Sequence, residues 1–191
     1  MGTTKFQSAR VGIFFDRDGI VNYGSDGYIT TPEAFHFRPD FFPLFQWVKS
    51  SGFRAIVVTN QQGVGKGVMT VEDLATIHQQ MQQELQLRTG WQFDDIFACT
   101  ALKEAGKADC HKPNPRMLLQ AIAKWNLDPR FCWILGDQER DIEAGKRAGI
   151  HTCYVHPTDH LAIAECNAPE LLTALRLLQQ WFDRNLQHLY R

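Results

Sequence analysis

Short apolar runs alternate with longer segments whose apolar residues recur every three to four positions. The runs Val11–Phe15, Arg54–Thr59, Asp95–Cys99, Phe131–Leu135 and Thr152–Val155 read as buried strands. Between them, Asp40–Ser51, Thr70–Thr89, Pro115–Trp125 and Glu139–Ala148 carry the helical period. Pro43 and Pro115 lie near helix starts, where a missing N–H costs little. Gly52, Gly90 and Gly149 stand where helices should stop, and Thr70 with Asp73 has the form of a capping box. A regular strand–helix rhythm predicts an α/β fold, a Rossmann-like parallel sheet with helices on both faces and right-handed crossovers. No interval between strands is long enough for a large cap domain, so the loops Tyr23–Arg38 and Thr100–Asn114 are expected to shape the open sheet edge. We read 1–191 as one unit, with a core at about 10–157 and a C-terminal helix at about 168–190. Leu172, Leu175, Leu178, Phe182, Leu186 and Leu189 form a stripe on that helix, facing the chain's own sheet edge or a second copy.

The polar residues that interrupt this pattern fall at strand ends. Asp16 and Asp18 follow the first apolar run and precede Gly19. In open α/β sheets ligands bind outside the carboxyl ends of the strands. Two adjacent acids there are costly unless a cation or a proton transfer uses them. Strand alternation predicts that Asp16 and Asp18 point one way and Arg17 the other; the alternative is an ordinary turn rich in Asp and Gly. Thr59, Asn60 and Gln61 end the second run with a hydroxyl and two amides able to donate to phosphate oxygens. His111-Lys112-Pro113 supplies a compact cation ahead of a helix. Asp137 follows the fourth run, and Asp141 lies one helical turn later on the same face. Carboxylates at 16 and 137 suit Mg²⁺, a hard cation that takes few protein ligands.

Bulk composition narrows the classes. With 20 Lys+Arg against 21 Asp+Glu, the formal net charge is −1, and no basic stripe points to nucleic acid. No apolar run approaches the roughly 18 residues needed to span a bilayer. The first ten residues lack an apolar stretch of the export type, so a cytoplasmic protein is expected. Five cysteines (Cys99, Cys110, Cys132, Cys153, Cys166) in such a chain are expected as free thiols rather than a disulfide framework. His36, His78, His151, His156 and His160 are scattered and read as surface or capping residues.

In their order, Asp16-x-Asp18-Gly19, Thr59, Lys112 and Gly136-Asp137 resemble the motifs of the haloacid-dehalogenase (HAD) superfamily over about 10–157. The resemblance implies a Mg²⁺-dependent phosphomonoesterase. Asp16 is then the nucleophile forming an aspartyl-phosphate, and Asp18 the acid/base. Thr59 and Lys112 form the phosphate clamp. Mg²⁺ is held by Asp16, the backbone carbonyl of Asp18, and Asp137, while Asp141 orients Lys112 or touches the metal. Asn60, Gln61, Lys66 and His111 are the expected substrate contacts.

The wider motif text is similar to the capless D-glycero-D-manno-heptose-1,7-bisphosphate phosphatases, with the histidinol-phosphate phosphatases as the alternative. Arg17 is shared by both families, while Asn22 and the Gly27-Tyr28 pair carry the heptose side of the likeness. Two departures stand out. The zinc loop of those families, Cys-x-His then Cys-x-Cys, is reduced here to Cys99 and Cys110, with His111 or Asp109 as substitutes, so zinc is not expected. His111 also replaces an Arg that contacts substrate in the heptose enzymes. The run Gly63-Val-Gly-Lys66-Gly is not a Walker loop, because Asn60 holds the first glycine's place and Gly67 that of Ser/Thr. A HAD-like binding protein without turnover is a further reading, which loss of Asp16 or Asp18 would have signalled. The expected partner is a small phosphorylated molecule, with no nucleic acid or membrane, and the chain a monomer or homodimer.

Overall fold

A computed structural model describes residues 10–24, 27–102 and 110–186. The expectations for residues 1–9, for Asp109 as a metal ligand and for Leu189 lie outside the described residues. In chain order the elements are β1 (Gly12–Phe15), α1 (Phe41–Ser50), β2 (Arg54–Asn60), α2 (Gln62–Gly65), α3 (Val71–Thr89), β3 (Asp95–Cys99), α4 (Arg116–Lys124), β4 (Trp133–Gly136), α5 (Glu139–Ala148), β5 (His151–Val155), β6 (Cys166–Ala168) and α6 (Leu171–Leu186). The six strands form one sheet in the order β3-β2-β1-β4-β5-β6, and every pairing is parallel. Among the described residues no helix is long and apolar enough to cross a membrane.

Alternation along the strands divides the core in two. Ile13 and Phe15 of β1, Ala55 and Val57 of β2, and Trp133 and Leu135 of β4 join the buried faces of α1, α3 and α6. Phe14, Ile56, Val58 and Ile134 point the other way and pack on Met117, Leu118 and Ala121 of α4 and Ala144 and Ala148 of α5. The helices therefore cover both faces, as the rhythm predicts. The capping box of α3 is present: the Asp73 N–H donates to Thr70 Oγ1 at 3.0 Å, and the Thr70 N–H to Asp73 Oδ2 at 2.8 Å. Gly90 ends α3 at φ 82°, a left-handed conformation that penalises any side chain.

Three elements differ from expectation. The run at Phe131 starts late, because Asp128 caps a short 3₁₀ turn over Pro129–Phe131 and the strand begins at Trp133. The three-residue β6 carries too little pattern to be read in advance. In α6 the buried face is Leu171, Ala174, Leu178 and Phe182, packed with α1, whereas Leu172 is 40% exposed. The stripe thus turns inward one position from where leucine spacing alone places it.

A fourth difference concerns the cysteines. Cys99, at the end of β3, is joined to Cys110 by a disulfide, with the two Cα atoms 5.4 Å apart. The expectation of free thiols fails for this pair, because compartment arguments do not register two chain segments brought together at a sheet edge. Cys132, Cys153 and Cys166 are free. In the disulfide neither sulfur offers zinc a thiolate. The cross-link closes a separation of 11 residues, for which chain entropy gives at most about 3 kcal/mol. Cys110→Ser should lower the urea midpoint by up to that equivalent in non-reducing buffer. In excess dithiothreitol the unsubstituted protein should fall to the same midpoint; equal midpoints without reductant would count against the bond.

Candidate active site

The parallel register brings the ends of β1, β2 and β4 to one edge. Phe15 lies opposite Val57 on one side and Leu135 on the other, so Asp16, Thr59 and Asp137 all emerge there. The Asp16 N–H donates to the Leu135 carbonyl at 3.0 Å, extending the ladder one residue past the strand. Lys112 reaches in from the segment before α4. Its Nζ lies 2.7 Å from Asp16 Oδ1, 2.8 Å from Asp141 Oδ1 and 2.8 Å from the Val58 carbonyl. The ammonium thus donates to Asp16 and the Val58 carbonyl and is ion-paired with Asp141. Asp141 therefore stands against the lysine and also within the carboxylate cluster described below, a placement compatible with either role expected for it.

Asn60, an expected substrate contact, lines the cavity described below, and its amide also bonds the Lys112 backbone. Its Oδ1 accepts from the Lys112 N–H at 3.0 Å, and its Nδ2 donates to the Lys112 carbonyl at 3.2 Å. Gln61 Nε2 donates both to Asp18 Oδ2 at 2.9 Å and to Thr59 Oγ1 at 2.8 Å. His111 is 2% exposed and does not line the cavity described below. Lys66 is exposed, its ammonium 5.5 Å from the centre of the Tyr28 ring.

Arg17 overturns the expectation from alternation. The strand stops at Phe15, so the two-residue period no longer applies, and the Arg17 side chain folds back on Asp18. Its Nε donates to Asp18 Oδ1 at 3.1 Å and its Nη2 to Oδ2 at 2.9 Å, a bidentate fork from a fully buried guanidinium. Asn22 Nδ2 adds a third donor residue to Asp18 at 3.0 Å. The sequence signal for Arg17 and Asn22 was their proximity to the motif; their orientation depended on where the strand ended.

The two acids of the first motif thus occupy different environments. Asp16 is 4% exposed, and burial pushes its carboxyl up to about 6, with Lys112 opposing and Asp141 adding to the rise. Burial, reinforced by Asp16, also holds Asp137 above the ordinary carboxylate range. Burial pulls the Lys112 ammonium down, but Asp141 and Asp16 outweigh it and keep its pKa above the usual value. Oxygens of Asp16, Asp137 and Asp141 lie within 4.8 Å of one another. Three carboxylates against one ammonium leave a surplus of negative charge. Asp137 Oδ1 is buried with no hydrogen-bond partner among the described residues. A divalent cation fits both observations. The Asp18 carboxylate is not in this cluster; it is taken up by Arg17, Asn22 and Gln61.

Gly19 lets the two halves of the site meet. It sits at φ 98°, and a Cβ there would fall 2.1 Å from Asp137 Oδ2. Arg38 Nη1 donates to the Gly19 carbonyl at 2.7 Å and fixes that loop. Beyond it opens a cavity of about 230 Å³, lined by Asp18, Tyr28, Asn60, Gln61, Asp137 and Arg140 among others. The volume suits a small polar molecule with one end among the acids.

Comparison with known proteins agrees with this geometry. The family model described as "HAD-hyrolase-like" matches residues 109–167. The D-glycero-beta-D-manno-heptose-1,7-bisphosphate 7-phosphatase of Helicobacter pylori is 34% identical over 138 residues, covering 72% of this chain and 79% of that protein. The D-glycero-alpha-D-manno-heptose-1,7-bisphosphate 7-phosphatase of Burkholderia mallei is 35% identical over 146 residues, covering 73% and 76%. Among solved structures, the D,D-heptose 1,7-bisphosphate phosphatase of B. bronchiseptica, complexed with magnesium and phosphate, superposes with a TM-score of 0.80 at 26% identity, covering 90% of this chain and 98% of that one. A fold carrying its acids, lysine and threonine at one parallel-sheet edge, with relatives of this identity and coverage, places the chain in the HAD superfamily, in the family of the heptose-1,7-bisphosphate 7-phosphatases, as a phosphatase of small phosphorylated molecules.

Proposed function

We propose that the protein is a Mg²⁺-dependent phosphomonoesterase that removes the 7-phosphate of D-glycero-D-manno-heptose 1,7-bisphosphate through an aspartyl-phosphate. The observation that carries this reading is the contact of Lys112 Nζ with Asp16 Oδ1 at 2.7 Å, beside a second, separately oriented acid. Names of the relatives support the substrate, and both anomers occur among them.

The chemistry follows from charge. An anionic carboxylate approaching an anionic phosphate is repelled, so positive charge has to stand where the two meet. Lys112 supplies one such charge. Mg²⁺, held by Asp16, Asp137 and the Asp18 backbone carbonyl, would supply the rest by screening the phosphate oxygens. Both hydrogen bonds to Asp16 fall on Oδ1, from Lys112 and from the Arg17 N–H at 2.8 Å, and Oδ2 accepts none among the described residues. That oxygen is the attacking atom in this reading. The Thr59 hydroxyl, which already accepts from Gln61, has its own proton to donate to a phosphate oxygen. Asp18 gives a proton to the departing sugar oxygen, then takes one from the water that cleaves the aspartyl-phosphate. The cavity toward Tyr28 and Arg140 accommodates the remainder of the sugar.

Asp16→Asn should lose at least about a thousandfold in phosphate release while keeping the circular dichroism of the folded protein. Persisting turnover would sink the nucleophile assignment. A phosphate-release screen with Mg²⁺, covering both heptose-bisphosphate anomers and histidinol phosphate, decides the substrate. The expected result is fastest release from a heptose bisphosphate; preference for histidinol phosphate would replace that substrate and retain the mechanism.

The metal assignment has a readout without turnover. Mg²⁺ at a hundred times its dissociation constant should stabilise the protein by about 2.7 kcal/mol, visible as a rise in melting temperature. Asp137→Asn should abolish that rise. In metal-free buffer the same variant should be no less stable than the parent, because it relieves repulsion from Asp16. A full Mg²⁺ response in Asp137→Asn would remove Asp137 from the site.

A further inference from the structure

Arg17 uses three nitrogens. Nε and Nη2 hold the two oxygens of Asp18, and Nη1 lies 3.3 Å from Nε2 of His78, on α3. A guanidinium only donates, so His78 Nε2 is the acceptor and its ring proton sits on Nδ1. Burial, followed by the Arg17 charge, pushes the imidazole down to about 4, in keeping with a neutral ring. The expectation that His78 is a surface or capping residue is corrected by this contact. His156 does fit that expectation, since its Nδ1 accepts from the Asp159 N–H at 2.8 Å.

The placement of His78 comes from tertiary packing. Leu74, Ile77, Met81 and Leu85 bury one face of α3 in the core, and His78 follows Ile77 at the edge of that face. From there it meets a guanidinium that is 0% exposed. With its third donor anchored on a rigid helix, the guanidinium cannot rotate its fork away from Asp18. Without His78, Nη1 would be a buried donor with no partner in its place, and the fork would gain freedom to shift. Displacements of about 1 Å at reacting groups can cost on the order of a hundredfold in rate.

We propose that His78 is a positioning residue for the phosphatase reaction, acting through Arg17 to hold the Asp18 carboxylate in the geometry that protonates the leaving oxygen. This rests on the reading of Asp18 as the acid/base. A purely structural role would depress all substrates alike. A role through Asp18 depends on how much the leaving group needs a proton. A sugar alkoxide needs one, whereas p-nitrophenolate leaves without it.

The test compares kcat/KM, which reports formation of the aspartyl-phosphate, for two esters in His78→Leu and His78→Gln. One ester is p-nitrophenyl phosphate; the other is the alkyl phosphate hydrolysed fastest in the screen above. His78→Leu should lose about tenfold with the alkyl phosphate and less than about threefold with p-nitrophenyl phosphate. Gln carries an amide oxygen close to the position of Nε2, so His78→Gln should lie within about threefold of the parent for both esters. Equal losses for the two esters, no loss in His78→Leu, or no recovery in His78→Gln would overturn the proposal. Asp18→Asn run alongside separates the two claims. If it retains alkyl-phosphate turnover, the acid/base reading falls and this inference with it. If it is inactive while His78→Leu is unaffected, only the role of His78 falls.

Discussion

The site depends on one ammonium group withdrawn from water between two carboxylates. Lys112 is 2% exposed, and its charge is tolerable only because it donates hydrogen bonds to Asp16 and the Val58 carbonyl and forms an ion pair with Asp141. Removing one partner from such a buried pair typically costs about 3–5 kcal/mol, because an uncompensated charge remains. Each neighbour is accordingly set by the sheet rather than by a loop alone. Asp16 prolongs β1, Val58 lies within β2, and Asp141 stands on the first turn of α5. The lysine comes from a segment without regular structure, and Asn60 grips its backbone on both sides.

Around that charge, two chemically identical side chains two residues apart acquire different roles. Asp16 is enclosed, receives both of its hydrogen bonds on one oxygen, and faces two further acids. Asp18 is partly open to the cavity, with a side chain 35% exposed, and is braced by Arg17, Asn22 and Gln61. In the proposed mechanism, environment rather than residue type separates the attacking carboxylate from the proton carrier. The surplus of negative charge among Asp16, Asp137 and Asp141 is what a divalent cation would neutralise, so the protein's own lysine and the metal share one electrostatic task.

The fold was legible because burial on both faces leaves uninterrupted apolar runs, and the polar residues that end them stand out. Asp16, Thr59 and Asp137 stand out that way, Lys112 by its place ahead of a helix, and their order is the strongest signal in the chain. Arg17 was misread because a period-two argument was carried past Phe15, where the strand ends. His78 was missed because its partner lies 61 residues earlier, and only the docking of α3 joins them. The disulfide between Cys99 and Cys110 and the inward turn of α6 likewise depend on contacts between distant segments. Asn60 shows a further limit: a residue beside a motif can bond its neighbour's backbone while it lines the cavity, and sequence adjacency does not tell these apart.

The Gln61 amide has two protons, and one is spent on Thr59 while the other is spent on Asp18. In the proposed mechanism, grip on the phosphate and delivery of the proton are therefore wired to the same nitrogen. Natural or laboratory evolution toward new substrates cannot adjust one of these properties at position 61 without disturbing the other. Diversification is thereby steered outward to the cavity rim, around Tyr28 and Arg140, where side chains line the space without holding the reacting groups.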